Sequence, residues 1–209
     1  MDKQIILYDF HGSPCARRVR IVLLEKGLRW ETRLVDLTKM EQKKPEYLKL
    51  NPNGLVPTVI DGDLIMWESN TICRYLASTR DGERLYPRDP AARTHVERWM
   101  DWQLAVVGAP MGQLLFGLVR TKPEARDPAA IEAARRRALT AWMIVDDELK
   151  DRPYLAGAEL SLAEIVLGTQ IYRWFAFPIE RPPLDNLRAW YDRLSQRPGF
   201  KTHIETPIT

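Results

Sequence analysis

Cysteine is scarce: Cys15 and Cys73 are the only two in 209 residues, and they stand far apart, in no CxxC pair and near no histidine cluster. That argues against a disulfide framework and against a zinc site. An excess of one charge is also missing, since 31 Lys and Arg face 28 Asp and Glu, interspersed, for a net charge of +3. Such a balance gives no footprint for nucleic acid. The hydropathy pattern offers no apolar run long enough to span a bilayer. The opening MDKQIILYDF lacks the basic flank and small-residue cleavage site of a signal peptide. Internal repeats and low-complexity segments are absent as well. The expectation is a cytoplasmic globular chain with neither membrane nor nucleic acid as partner.

What the chain has is enough apolar content, 45%, to bury a sizeable core in one large or two small domains. Ile5 to Tyr8 reads as a buried strand, Pro14 to Lys26 as a helix stopped by Gly27, and Trp30 to Val35 as a second strand. This is a βαβ unit, whose right-handed crossover makes the two strands parallel neighbours. A short polar helical stretch, Lys39 to Lys49, leads to the turn Asn51-Pro52-Asn53-Gly54. Val56 to Ile60 and Leu64 to Trp67 form a hairpin with Asp61-Gly62 at its turn, and a helix from Glu68 to Ser78 follows. Thr79 to Asp89 is a polar, turn-rich linker. Beyond it the period is helical, with Asp89-Pro90, Asp127-Pro128 and the capping box Ser161-Leu162-Ala163-Glu164 marking helix starts. A proline at Gly108-Ala109-Pro110 predicts a kink. The reading is an α/β domain over 1–79 and an all-helical domain over 90–209.

Three places carry chemistry. Ser13-Pro14-Cys15-Ala16 sits at a strand-to-helix turn, where unpaired N–H groups and the helix dipole favour an anion such as a thiolate. Ser13 can steady a thiolate brought by a ligand, or Cys15 can be one. A proline opening a strand makes Pro57 a strand start. If the Val56-Pro57 bond is cis, the backbone N–H and C=O of Val56 are left for an extended peptide. Glu68 and Ser69 at the next helix start suit an amino-acid head, the carboxylate taking the amine and the hydroxyl and N–H groups taking a carboxyl. A γ-glutamyl peptide with a central cysteine fits all three.

SPCARRVRIVLLEKGL, NPNGLVPTVIDGDLIMWESNTICRYL, YLAGAELSLAEI and LRAWYDRLSQRPGF together resemble a cytosolic glutathione S-transferase over the whole length. The SPxxxRVR turn is most similar to the serine classes such as theta, tau and zeta. The resemblance implies a thioredoxin-like N-terminal domain, an all-helical C-terminal domain contributing the electrophile pocket, and a homodimer. It implies glutathione as co-substrate, a small hydrophobic electrophile as second substrate, and no metal or other cofactor. It implies that Ser13 donates a hydrogen bond to the glutathione sulfur, Val56 pairs with the cysteinyl unit, and Glu68 and Ser69 hold the γ-glutamyl head. Lys43 resembles a lysine that meets the glycyl carboxylate, and Asn53 lies in the same loop. There are two departures: Leu55 stands where many members have glutamine, and Pro14 where the zeta pattern has a second serine.

Other readings compete at each position. Ser13 is also a good N-cap, and Glu68 and Ser69 also suit a helix start. Cys15 supports a rival thiol-transferase chemistry through a mixed disulfide, and a non-catalytic binding protein of the same fold is a further alternative. Cys73 reads as core. Arg17, Arg18 and Arg20 read as a solvated or domain-bridging face, and Asp101 as a surface charge. Trp99, Trp102, Val106, Met111, Leu114 and Leu115, then Trp174, Phe175 and Phe177, are candidates for the electrophile's surroundings.

Overall fold

Ile5–Asp9 forms β1, whose residues alternate between buried and half-buried as a strand's two-residue period requires. In the computed structural model, which describes residues 4–79 and 83–204 with side chains to Thr202, the chain divides into two compact units, Met1–Gly82 and Glu83–Thr209. The linker residues Arg80, Asp81 and Gly82 and the two chain ends lie outside the described residues.

In the first unit β1 is followed by α1 (Pro14–Glu25) and β2 (Trp30–Leu34), then by α2 (Pro45–Leu48), β3 (Thr58–Asp61), β4 (Leu64–Trp67) and α3 (Ser69–Ser78). The sheet order is β2-β1-β3-β4, with β1 and β2 parallel and the other neighbours antiparallel. This is the mixed four-stranded sheet of a thioredoxin-like domain. Ile5, Leu7, Val19, Val22, Val59, Ile72, Cys73 and Leu76 are fully buried in its core. Burial pushes the Cys73 thiol up to about 12, so it is inert. The polar helical stretch before the turn is split between 3₁₀ turns at Leu37–Lys39 and Glu41–Lys43 and the short α2. The hairpin turn is one residue later than expected: Asp61 pairs with Leu64, so Gly62 and Asp63 are its central residues.

The second unit holds α4 (Pro90–Trp102), α5 (Gly108–Leu115), α6 (Pro128–Glu148), α7 (Leu162–Ala176), α8 (Asp185–Ser195) and α9 (Pro198–Ile204). All three sequence-marked caps form. Asp89 accepts from Ala92 N at 2.8 Å, Asp127 from Ala129 N and Ala130 N, and Ser161 with Glu164 makes a full capping box. The kink expected at Gly108-Ala109-Pro110 does not break the helix, which runs from Pro90 to Arg120. Pro110 lacks an N–H and its ring crowds the carbonyl four residues back. The ladder widens there into a π-helical turn, Gln103–Val107, closed by Gly108 N–H on Gln103 O.

This helix also corrects the hydropathy reading. Trp102 to Val119 carries no ionisable side chain, and an 18-residue window of the helix reaches a mean hydropathy of 1.4, enough by length and composition to cross a membrane. Gln103, Gly108, Pro110 and Gln113 interrupt the run of strongly apolar residues. In the fold the helix is one member of the bundle, with Val107, Met111, Leu114 and Leu115 buried against its neighbours.

Candidate active site

Sheet register decides which loops meet. Tyr8 pairs with Thr58 and Thr58 with Trp67, so the end of β1, the start of β3 and the end of β4 lie side by side. The segments attached to those ends hold Ser13, Val56 and Glu68-Ser69. Two inter-strand steps of about 4.8 Å span roughly 10 Å, the length of about three extended residues. A tripeptide laid across the strand ends reaches all three segments.

Ser13 is the N-cap of α1, nearly buried, with Oγ accepting from Ala16 N at 3.2 Å. Its own amide donates to Phe10 O at 2.9 Å, and its carbonyl accepts from Arg17 N at 3.0 Å. Capping uses a lone pair of the hydroxyl and leaves the O–H as a donor. The capping and thiolate readings of Ser13 are therefore compatible. Cys15, half-buried, is in the first turn of the same helix as a free thiol.

The Val56-Pro57 bond is cis. Among the described residues nothing pairs with the backbone N–H or C=O of Val56. The residue before it is fixed by a network that sequence reasoning missed. Leu55 O accepts from Tyr47 OH at 2.7 Å and Asn51 Nδ2 at 2.8 Å, and both side chains also meet Thr58 Oγ1. The only sequence signal was Asn51, read as part of a turn. Lys43 donates from Nζ to Asn53 O at 3.1 Å, so it spans the loop expected to hold a glycyl carboxylate. A Cβ on Gly54, at φ 59°, would lie 2.8 Å from that Nζ and from Gln42 O, so glycine is required there. The Asn53 side-chain nitrogen is turned back to Asn51 Oδ1 at 3.1 Å.

Glu68 sits at φ 69°, ψ 107°, an uncommon conformation for a residue with a Cβ, and makes no side-chain cap for α3. Its carboxylate is exposed and, like the hydroxyl of the buried Ser69, makes no hydrogen bond among the described residues. The capping alternative thus fails for Glu68, whose side chain is not spent on the helix.

The arginines of α1 correct another expectation. Arg17, Arg18 and Arg20 are all buried, not solvated. Arg18 Nη1 donates to Asn70 Oδ1 at 2.6 Å, beside Ser69, and Arg20 Nη1 to Asp9 Oδ2 at 2.7 Å, below the Ser13 turn. Of the residues expected around the electrophile, Trp99, Met111, Leu114, Leu115, Trp174 and Phe177 are buried core residues, whereas Trp102, Val106 and Phe175 keep exposed surface. Asp101 is on the exposed side of α4.

Two family descriptions match this chain: "Glutathione S-transferase, N-terminal domain" over residues 12–79 and "Glutathione S-transferase, C-terminal domain" over 128–193. The glutathione S-transferase GstB of Escherichia coli K12 is 35% identical over 207 residues, covering 98% of this chain and all of its own. The chain belongs to the glutathione S-transferase family. Among solved glutathione transferases, the theta class enzyme of the citrus pathogen Xanthomonas axonopodis pv. citri with glutathione bound is 38% identical. It has a TM-score of 0.94 and covers 99% of this chain and 100% of its own. Glutathione transferase F2 of Populus trichocarpa is 27% identical with a TM-score of 0.86, over 96% of this chain and 97% of its own. The glutathione transferase fold, a thioredoxin-like unit followed by a helical one, is thus the architecture of the whole chain.

Proposed function

We propose that this glutathione transferase activates the thiol of glutathione on Ser13 and adds the thiolate to small hydrophobic electrophiles. The observation that carries the reading is the match between position and unspent bonding. The Ser13 O–H, the Val56 backbone, the Glu68 carboxylate and the Ser69 hydroxyl border one end of the sheet, and none is used by the described residues. In this reading Glu68 and Ser69 hold the γ-glutamyl head and Val56 pairs with the cysteinyl backbone. Lys43 and Asn53 take the glycyl carboxylate in exchange for their present loop bonds.

The energetics are adequate. Lowering a free thiol from about 8.5 by roughly two units takes about 2.7 kcal/mol. One charge-assisted hydrogen bond from Ser13 contributes about 1.5 to 3 kcal/mol, and the N-terminus of α1 about 0.3 to 1 more. The thiolate then attacks the electrophilic carbon of a co-substrate held close to it. Two free cysteines support a reducing, cytoplasmic compartment, and the exposed Leu64, Ile65 and Trp67 of edge strand β4 support a homodimer.

Conjugation of an aryl halide by wild type, Ser13→Ala and Cys15→Ser tests the serine assignment, with disulfide reduction measured alongside. Ser13→Ala is expected to lose about 10- to 100-fold in kcat/KM while still binding glutathione, and Cys15→Ser to stay near wild type. Wild-type conjugation by Ser13→Ala, or reductase activity lost in Cys15→Ser alone, would overturn it.

A further inference from the structure

Arg20 is a long cation at 5% exposure inside the first unit, and its bonds run to one short segment. Nη1 donates to Asp9 Oδ2 at 2.7 Å, and Nη2 donates to the backbone carbonyl of His11 at 3.1 Å. Nη1 also lies 3.4 Å from His11 Nδ1. Asp9 is the last residue of β1, and His11 is two residues before Ser13. One guanidinium thus holds both ends of the bend through which the chain leaves the sheet and reaches the cap of α1. Only Arg can do this, because its planar fork presents several donors in fixed directions, whereas a lysine offers a single ammonium.

The bend contains Gly12 and lies between a strand and a helix. Val35 N–H on Asp9 O at 2.8 Å and Ser13 N–H on Phe10 O at 2.9 Å hold its backbone, and the Arg20 fork is the side chain that spans it. A hydroxyl that must donate along a defined line to a sulfur is sensitive to shifts well below an ångström in its backbone. Arg20 projects from the helix that Ser13 caps, so the clamp ties the cap, the bend and the strand into one ring.

We propose that Arg20 is a positioning residue for the reaction: paired with Asp9, it fixes the His11 carbonyl and through it the direction of the Ser13 hydroxyl. The inference rests on Ser13 being the thiolate's donor. Arg20 itself touches neither glutathione nor the electrophile and acts only through Ser13.

The test uses the full chain as wild type, R20K, D9N, S13A and the double variant S13A/R20K. Calorimetry gives glutathione affinity, and ultraviolet absorbance of the bound thiolate against pH gives the thiol's apparent pKa. R20K keeps a cation for Asp9 but cannot also hold the His11 carbonyl. It is expected to raise the bound thiol's pKa by about one unit and to lower kcat/KM about tenfold, with KM for glutathione little changed. In the S13A background the same substitution should move the thiol pKa no further, since neighbours acting through one group are non-additive. A merely structural role would lower the melting temperature and leave the thiol titration where it is. An R20K protein that folds and titrates like wild type overturns the proposal. If S13A itself leaves the thiol pKa unchanged, the Ser13 reading has failed instead, and the two failures are told apart. Should R20K not fold, D9N, of unchanged size, removes the carboxylate charge that anchors the guanidinium, weakens the clamp, and is expected to raise the thiol pKa in the same direction.

Discussion

At the scale of single residues, the proposed role of Ser13 is compatible with its role as a cap. Its oxygen accepts from Ala16 N, which leaves the hydroxyl proton available as a donor. Ser13→Asp separates the two, because aspartate is an equally good N-cap but only an acceptor. The variant should melt within a few degrees of wild type yet conjugate more slowly than Ser13→Ala, since its carboxylate repels the thiolate it replaces a donor for. Thermal melting and aryl-halide kinetics on the same preparation decide this. The boundaries at which Ser13, Val56, Glu68 and Ser69 stand were legible in the sequence because local chemistry marks each: a cap, a strand-opening proline, a helix start. The buried arginines were not. Arg20 finds its partner eleven residues away and Arg18 fifty-two away, and no helical period reveals such pairings. Three arginines within about one turn read as a solvated or domain-bridging face until the partners are seen.

At the scale of elements, helix starts were readable and helix interiors less so. Asp89, Asp127 and Ser161 announce α4, α6 and α7 through side-chain oxygens that reach the first N–H groups. The course of the Pro90–Arg120 helix past Pro110 was not, because a π-helical turn absorbs the missing bond in a way that no residue preference signals. The hairpin turn was misplaced by one residue because Asp61-Gly62 and Gly62-Asp63 are both good turn pairs and only the strand register chooses. Packing between helices adds a constraint of its own. A Cβ on Gly168 of α7 would meet Phe200 Cε1 at 2.5 Å and Leu194 Cδ1 at 3.1 Å, so α8 and α9 approach α7 closely at that point. Gly168→Ala gains helix propensity in α7 but overpacks this contact. A net destabilisation of about 1 to 3 kcal/mol is expected, measured by urea unfolding.

At the scale of the whole molecule, 31 basic and 28 acidic residues nearly cancel, and few acidic side chains are buried among the described residues. Glu164 is one of them. It is fully buried and accepts from Leu155 N at 2.6 Å, Ser161 N at 2.9 Å and Ser161 Oγ at 2.7 Å, yet its burial raises its pKa above the ordinary 4.5. In the window from 4.5 up to that raised value the folded chain holds more protons than the unfolded one, so stability contributed by this group falls as pH rises. The stability of wild type relative to Glu164→Gln should therefore be greatest in acid and shrink as pH rises through the window. Melting temperatures of the two proteins across that range check the sign, and a difference independent of pH would refute it.

At the strand ends the Val56 backbone and the Glu68 carboxylate are left unpaired among the described residues. On the proposed reading, a tripeptide that completes this edge would bind the native chain and not the unfolded one, and would become a participant in the folding equilibrium. Each tenfold excess of such a ligand over its Kd adds about 1.4 kcal/mol to the free energy of unfolding. The melting temperature then becomes a gauge of glutathione supply, and a cell that exhausts its glutathione loosens the protein as it starves the reaction.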